Sequence, residues 1–249
     1  MDNRMMQAMI FAAGLGTRLK PLTDHVPKAL VNVAGSPLLK HVICRMKDAG
    51  FQRIVVNVHH FSKQITDYLE ANQNFGMNIC ISDETDHLLD TGGGLKAAKP
   101  FFDRAPILVH NVDILSNVDL KDFYESNLQA AATLLVSERQ TKRYLLFDND
   151  MRLVGWTNIE TGEVKSPFLN IDPSNCQKFA FSGIHIFSPC LFPLMESYPD
   201  CFGIIDFYLH ICADVPIKGR VGKNLQLMDV GKLNTLHEAD DFVKQLHLE

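Results

Sequence analysis

No stretch of this 249-residue chain approaches the ~18 consecutive apolar residues that a membrane-spanning helix needs, so no membrane span is expected. An excess of positive charge is missing too. Lys and Arg number 24 against 29 Asp and Glu, and the resulting net charge of -5 argues against nucleic acid or an anionic membrane surface as a general partner. None of the six cysteines, Cys44, Cys80, Cys176, Cys190, Cys201 and Cys212, is paired at CxxC spacing. That speaks against a zinc ribbon or a thioredoxin-like site and fits scattered, mostly buried thiols in a reducing compartment. The apolar stretch near the N-terminus is short for a signal-peptide core and runs straight into a glycine loop, so a cytoplasmic protein is expected. There is one tryptophan, Trp156, read as a core or hairpin residue ahead of the alternative that it lines a ligand pocket. With no repeat, low-complexity tract or linker, one domain over residues 1–249 is the simplest account.

What the chain does have is concentrated between Phe11 and Leu30, in FAAGLGTRLKPLTDHVPKAL. The run Met9 to Ala13 is apolar enough for a buried parallel strand. Gly14 and Gly16 let the backbone turn tightly and bring N–H groups close to an anion. Arg18 offers a charged fork to phosphate oxygens. Lys28 follows Pro27, which restricts the backbone, so its ammonium can be aimed at a reacting phosphate. A P-loop would need Gly-Lys-Ser/Thr after a four-residue gap, and the dinucleotide fingerprint would need glycine where Leu19 stands. A lone GxG loop is commonly only a strand-to-helix turn. Here Arg18, Pro21, Thr23, Pro27 and Lys28 follow it in one fixed pattern.

Downstream, strand-like and helix-like patterns alternate with short links. Ser36-Pro37 reads as the start of a helix with Leu39, Val42, Ile43 and Met46 on one face and Gly50 at its end. Arg53 to Val58 reads as a buried strand, Ser62 as the cap of a second helix, and Met77 to Ile81 as another strand. Asp90 to Gly94 reads as a glycine-rich loop before a helix over Leu95 to Ala98. Pro106 to His110 reads as a strand leading into Asn111-Val112-Asp113, and Asn149-Asp150 as a hairpin turn. Thr157 to Gln177 is polar and reads either as a mobile loop or flap or as a plain surface excursion. Lys178 to Phe187 and Leu225 to Met228 read as strands, and Asn234 to His247 as a last helix. The pattern predicts an α/β fold with a mixed, mostly parallel central sheet and helices on both faces. In such sheets ligands lie beyond the carboxyl ends of strands, where Gly14, Gly92, Asp113 and Asp229 all fall. Two carboxylates at such a place suit a divalent metal shared with phosphate oxygens.

The segment from Ala12 to Leu30 resembles the AAGxGxRxxPxTxxxPKxL signature of the sugar-1-phosphate nucleotidyltransferases, with every defined position filled. The resemblance extends over nearly the whole chain. His59-His60, Leu89 to Gly94, Phe181 to Ile186 and Asp229-Val230-Gly231 resemble further elements of that family. It implies a single Rossmann-like nucleotidyltransferase domain whose first part binds nucleotide and whose residues from about 110 onward face the sugar phosphate. It implies a reaction between a nucleoside triphosphate and a sugar 1-phosphate, assisted by Mg²⁺, that gives a nucleoside diphosphate sugar and pyrophosphate. By the same resemblance Ala13, Gly14, Leu15, Gly16 and Thr17 would hold the triphosphate, and Thr91, Gly92 and Gly93 would flank base or ribose. Arg18 and Lys28 would be the catalytic cations, Asp113 and Asp229 the metal ligands, and Phe181, Gly183 and Asp206 the sugar side. Within the family the pattern is most similar to uridylyltransferases acting on N-acetylmuramate 1-phosphate, and mannose- and heptose-phosphate guanylyltransferases share much of it. One position departs: Val112 stands where the family usually has glycine before the metal aspartate. A β-branched residue fits poorly at positive φ, so a binding-only relative that has lost catalysis is the competing expectation.

Overall fold

The computed structural model describes residues 5–246. In chain order its elements begin with β1 (Gln7–Phe11), β2 (Asn32–Val33), β3 (Ser36–Pro37), α1 (Leu38–Asp48), β4 (Arg53–Val58), α2 (Ser62–Ala71), β5 (Asn78–Asp83) and α3 (Asp90–Ala97). They continue with β6 (Ile107–Asn111), β7 (Ile114–Ser116), α4 (Leu120–Glu125), β8 (Ala132–Ser137), β9 (Arg143–Phe147), β10 (Leu153–Asn158) and β11 (Val164–Lys165). The last are β12 (Gln177–Phe187), α5 (Phe192–Met195), α6 (Ile204–Ile211), β13 (Ile217–Val221), β14 (Leu227–Asp229) and α7 (Leu233–Leu246).

The apolar N-terminal strand enters the middle of a ten-stranded sheet, where β6, β1, β4 and β5 lie side by side and parallel. Because side chains alternate along a strand, β1 sends Ala8 and Ile10 to one face and Met9 and Phe11 to the other. The first face is covered by α1, α2, α4 and α7, the second by α3, α5 and α6. Burial on both faces explains why these strands read as continuous apolar runs.

The later strands are antiparallel around β12. Its C-terminal half pairs with β6 on one edge and β8 on the other, while its N-terminal end, Gln177–Phe179, pairs with β9. The register shifts between Phe181 and His185. At the shift Gly183 has φ +74°, and a Cβ there would come within 2.9 Å of Asn111 and Ile114. A glycine is therefore required for the strand to pass so close to the end of β6.

Several local expectations are corrected. Ser36 and Pro37 form a short strand with β2, and α1 begins at Leu38 without a side-chain cap. Ser62 is the first residue of α2, and the cap is Phe61 at φ +56°. The glycines of Asp90 to Gly94 are not a loop but the first turns of α3 itself. Thr157 to Gln177 is tied down: β11 pairs with β10, Ser166 donates to the Val154 carbonyl at 2.6 Å, and Asp172 caps a short 3₁₀ turn. The last helix covers Leu233–Leu246, and His247 lies outside the described residues.

Two histidines lie in the interior. Burial, followed by the nearby Arg45 cation, lowers His110 to about 4, and burial lowers His185 to about 3. Neither nitrogen of His185 finds a hydrogen-bond partner, and its ring meets Tyr208 edge-on at 5.6 Å. The unfolded chain takes up these protons near the ordinary value of about 6.5, and the folded chain refuses them until lower pH. Their contribution to stability is thus fully present above about pH 6.5 and is lost as pH falls from there toward the two depressed values. Each proton is worth about 1.4 kcal/mol per pH unit within that window. His185→Leu should therefore flatten the pH dependence of the urea midpoint below about pH 6 by roughly one proton's worth. An unchanged slope would show that His185 does not resist protonation.

Candidate active site

Strand β1 ends at Phe11, and the chain then has to cross the carboxyl edge of the parallel sheet. The Ala12 N–H donates to Asn57 Oδ1 at 2.7 Å, and the Asn57 amide donates to Glu84 Oε1 at 2.7 Å. Glu84 also accepts from the Leu89 N–H at 3.2 Å. This buried chain of bonds links the ends of β1, β4 and β5, and burial raises the Glu84 carboxyl above its usual range. Asn57 and Glu84 were not among the residues singled out from the sequence. A polar residue inside the apolar run Arg53 to Val58 was the one available sign.

Beyond this anchor the loop opens onto a cavity of about 380 Å³, bordered by Ala13, Gly14, Lys28, Thr91, Val112 and Asp113. No protein atom comes within 4 Å of where a Gly14 Cβ would stand, so the space in front of that backbone is free for a ligand. Gly16 turns away at φ +64°, its carbonyl accepting from Thr23 Oγ1 at 2.8 Å, and Thr17 opens a short 3₁₀ turn that carries Arg18. Leu15, Gly16 and Thr17 stand off this cavity. Of the second glycine-rich segment, Thr91 borders it, with its hydroxyl accepting from the Ile204 N–H at 2.9 Å. Gly92 and Gly93 instead pack under the Asp200–Phe202 backbone.

A second cavity of about 560 Å³ lies alongside, bordered by Arg18, Arg143, Trp156, Phe181, Asp206 and Asp229 among others. Of the three residues expected on the sugar side, Phe181 and Asp206 border this cavity, whereas Gly183 lies behind its wall, in the β12 kink. Asp206 pairs with Lys165 of β11 at 3.3 Å, and the Lys165 ammonium lies 5.3 Å from the centre of the Trp156 ring. Arg139, Arg143, Lys165 and Lys232 were not assigned to the site from the sequence, because they come from three separate stretches of chain.

Four charged side chains converge, Lys28 and Asp113 from the wall of the first cavity and Arg18 and Asp229 from that of the second. Lys28 bonds Asp113, both side chains being largely buried. Strand β14 pairs with β7 so that Asp229 lies opposite Ile114, and the Val230 N–H donates to the Asp113 carbonyl at 2.9 Å. This places Asp229 next to Asp113. Burial, then the Asp113 charge, raises the Asp229 carboxyl, while Lys28 and Arg18 pull the other way. Asp229 Oδ1 is buried without a hydrogen-bond partner. A buried pair of carboxylates with an unsatisfied oxygen fits a divalent cation, which would relieve both the repulsion and the missing contact. Among the described residues no cluster of three or more metal-ligating side chains forms, so other ligands would come from substrate oxygens and water. His59 and His60 do not form a metal pair: His59 bonds the Glu84 carbonyl at 2.6 Å, and His60 stacks on Phe61.

A model of the nucleotidyl transferase family matches residues 7–245. The chain belongs to that family. It is 43% identical over 121 residues to the N-acetylmuramate alpha-1-phosphate uridylyltransferase of Neisseria meningitidis serogroup B, a match covering 49% of this chain and 52% of that protein. It is 45% identical over 108 residues to the enzyme of the same name from Caulobacter vibrioides, covering 43% of this chain and 45% of that protein. The chain thus spans about half the length of the curated relatives it matches. Among solved structures it is similar to HddC from Yersinia pseudotuberculosis, with a TM-score of 0.75, 25% identity, and 96% of this chain and 100% of that chain covered.

Membership of this family makes Val112 the residue to inspect. It keeps a negative φ, its N–H donates to the Phe11 carbonyl at 3.2 Å, and its side chain is buried. A β-branched residue is unstrained in that backbone, so Val112 does not strain the loop, while its position on the wall of the first cavity keeps its bulk next to that space.

Proposed function

We propose that this protein joins a nucleoside triphosphate to a sugar 1-phosphate, releasing pyrophosphate and a nucleoside diphosphate sugar, with UTP and N-acetylmuramate 1-phosphate as its preferred pair. The observation that carries the reading is the convergence of Lys28 and Asp113, from the wall of the first cavity, with Asp229 and Arg18, from the wall of the second. A phosphoryl-type displacement between two polyanions needs positioning and charge compensation more than covalent help. The first cavity would seat the triphosphate with the Ala13 and Gly14 backbone against its phosphates. The second would seat the sugar phosphate, so that its oxygen faces the α-phosphorus in line with the departing pyrophosphate. Lys28 stands between the cavities and would contact both phosphates in the transition state. Arg18 borders the second cavity beside Asp229, where it would offset charge on the sugar phosphate. Asp113 and Asp229 would hold Mg²⁺, which supplies charge neutralisation and orientation of the phosphates when bound. The names of the uridylyltransferase relatives support the choice of substrates. Six free thiols support a reducing, cytoplasmic setting.

Pyrophosphate release with Mg²⁺, measured for UTP, GTP, CTP and dTTP against a panel of sugar 1-phosphates, tests the proposal. Turnover fastest with UTP and N-acetylmuramate 1-phosphate is the expected result. Faster turnover with GTP and a mannose or heptose phosphate would reassign the substrates. Tight nucleotide binding with no turnover for any pair would leave a binding protein.

A further inference from the structure

The second cavity carries more positive charge than one phosphate monoester uses. Five basic side chains border it, Arg18, Arg139, Arg143, Lys165 and Lys232, against two carboxylates, Asp206 and Asp229. Lys165 is engaged by Asp206. Arg18 acts on Asp229 at the junction with the first cavity, and Lys232 stands three residues beyond Asp229 in sequence. These two are placed for the sugar's phosphate, which carries close to two negative charges. Arg139 and Arg143 are left over.

The sheet register says where they stand. Phe179 of β12 pairs with Leu145 of β9, and Leu145 with Trp156 of β10. Continuing by two residues brings Arg143 level with Phe181, on the same face as Leu145, because strands present alternate residues to one side. Arg139 donates from Nη2 to the Phe181 carbonyl at 3.0 Å, so both guanidinium groups collect around one point of β12. That point is two residues from Gly183, which abuts Asn111 next to the metal-site loop. Two residues of strand span roughly 7 Å, a distance comparable to a sugar ring. The floor between is apolar, built from Leu145, Trp156, Phe181 and Ile205. Among the described residues the Arg143 side chain has no hydrogen-bond or ion-pair partner, although it borders a cavity.

We propose that Arg143, backed by Arg139, reads a carboxylate on the sugar, about one ring away from the phosphate, so that the site selects acidic sugar 1-phosphates. The inference rests on the nucleotidyl-transfer reading above and names the group that reads the second substrate. A guanidinium accepts a carboxylate through two parallel hydrogen bonds, and the apolar floor carries the ring and its alkyl substituents. Arg143 is a specificity residue here and takes no part in the displacement.

N-acetylmuramate 1-phosphate and N-acetylglucosamine 1-phosphate differ by one carboxylate-bearing ether, so their ratio of kcat/KM with UTP reads the contact directly. Wild-type protein should favour the acidic sugar. Arg143→Gln should lower that ratio roughly 10- to 100-fold, the loss of one charge-assisted pair, through KM for the acidic sugar more than through kcat. Arg143→Glu should turn the preference toward the neutral sugar, and Arg143→Lys should restore part of it. The side chain is exposed, so these variants should keep the wild-type melting temperature. Equal use of the two sugars by wild-type protein, or a ratio that Arg143→Gln leaves unmoved, overturns the proposal while nucleotidyl transfer stands. Silence with both sugars and every triphosphate overturns the reading of function itself, and this inference with it.

Discussion

Lys28→Ala should reduce turnover by at least ~10²- to 10³-fold, the loss expected when a preorganised cation is removed from developing charge. The position is unusual in being constrained from both ends. Pro27 and the short turn Lys28–Leu30 fix the backbone, and Asp113 holds the ammonium in a largely buried setting. A lysine held this way loses little freedom when a second phosphate arrives, which is the advantage of preorganisation. The same geometry predicts a stability effect. Without Lys28, two neighbouring carboxylates are left with only Arg18 as a nearby cation, and breaking a buried pair from one side costs roughly 3 kcal/mol. The melting temperature of Lys28→Ala should therefore fall in chelator and recover with saturating Mg²⁺, because the metal replaces the missing charge. Activity should stay lost even when the fold is recovered. Lys28→Arg should be a poor rescue, since a planar fork cannot occupy the place of a compact ammonium. Single-turnover rates near wild type for Lys28→Ala would remove this residue from the chemistry.

Gly93→Ala should have the largest effect on stability, through a mechanism unrelated to catalysis. A Cβ at Gly93 would lie 1.9 Å from the Asp200 carbonyl oxygen, with Leu89 close on another side. The obstacle is backbone, which a side-chain rotation does not relieve. Overpacking of this kind costs about 3 kcal/mol or more, equivalent to a fall of roughly 10 °C in a domain of this size. Gly14→Ala is the matched control. It meets no protein atom within 4 Å, so it should melt like the wild type while losing turnover, because its methyl group occupies ligand space. Thermal melts and pyrophosphate release on the two variants separate a glycine that serves the fold from one that serves the ligand. Equal melting temperatures would sink the distinction.

This pair of glycines also shows how far the sequence could be read. The loop from Ala12 to Lys28 and the carboxylate Asp113 were legible because they follow the apolar strands β1 and β6, and strand ends in a parallel sheet converge on one edge, whereas Asp229 is brought there by the separate antiparallel pairing of β14 with β7. The second glycine-rich segment was misread as a loop. Three consecutive glycines have low helix propensity, but here the close approach of the Asp200–Phe202 segment requires Gly92 and Gly93, Gly94 abuts Glu84 and Asn57, and tertiary contact overrides propensity. Ser36-Pro37 was misread for a related reason: a cap-like serine and an N-terminal proline also suit a two-residue strand beside a turn. The basic wall of the second cavity was not legible. Arg139, Arg143, Lys165 and Lys232 are unremarkable in isolation; the antiparallel pairing around β12 unites the first three, and the β14–β7 pairing brings Lys232, which no local pattern reveals.

Strand β12 has one more consequence. It pairs with β6 along its second half and with β9 at its start, and Gly183 marks the change between them. One continuous piece of backbone therefore borders the second cavity at Phe181 and packs at Gly183 against Asn111, which borders the first. In an enzyme that closes two lobes over its substrates, the separation of the reactants varies with the motion. Here it is set by a count of residues along a hydrogen-bonded strand, which acts as a gauge rather than a hinge. Evolution could change the length of sugar accepted by adding or removing residues beyond Gly183 while leaving the phosphate end untouched.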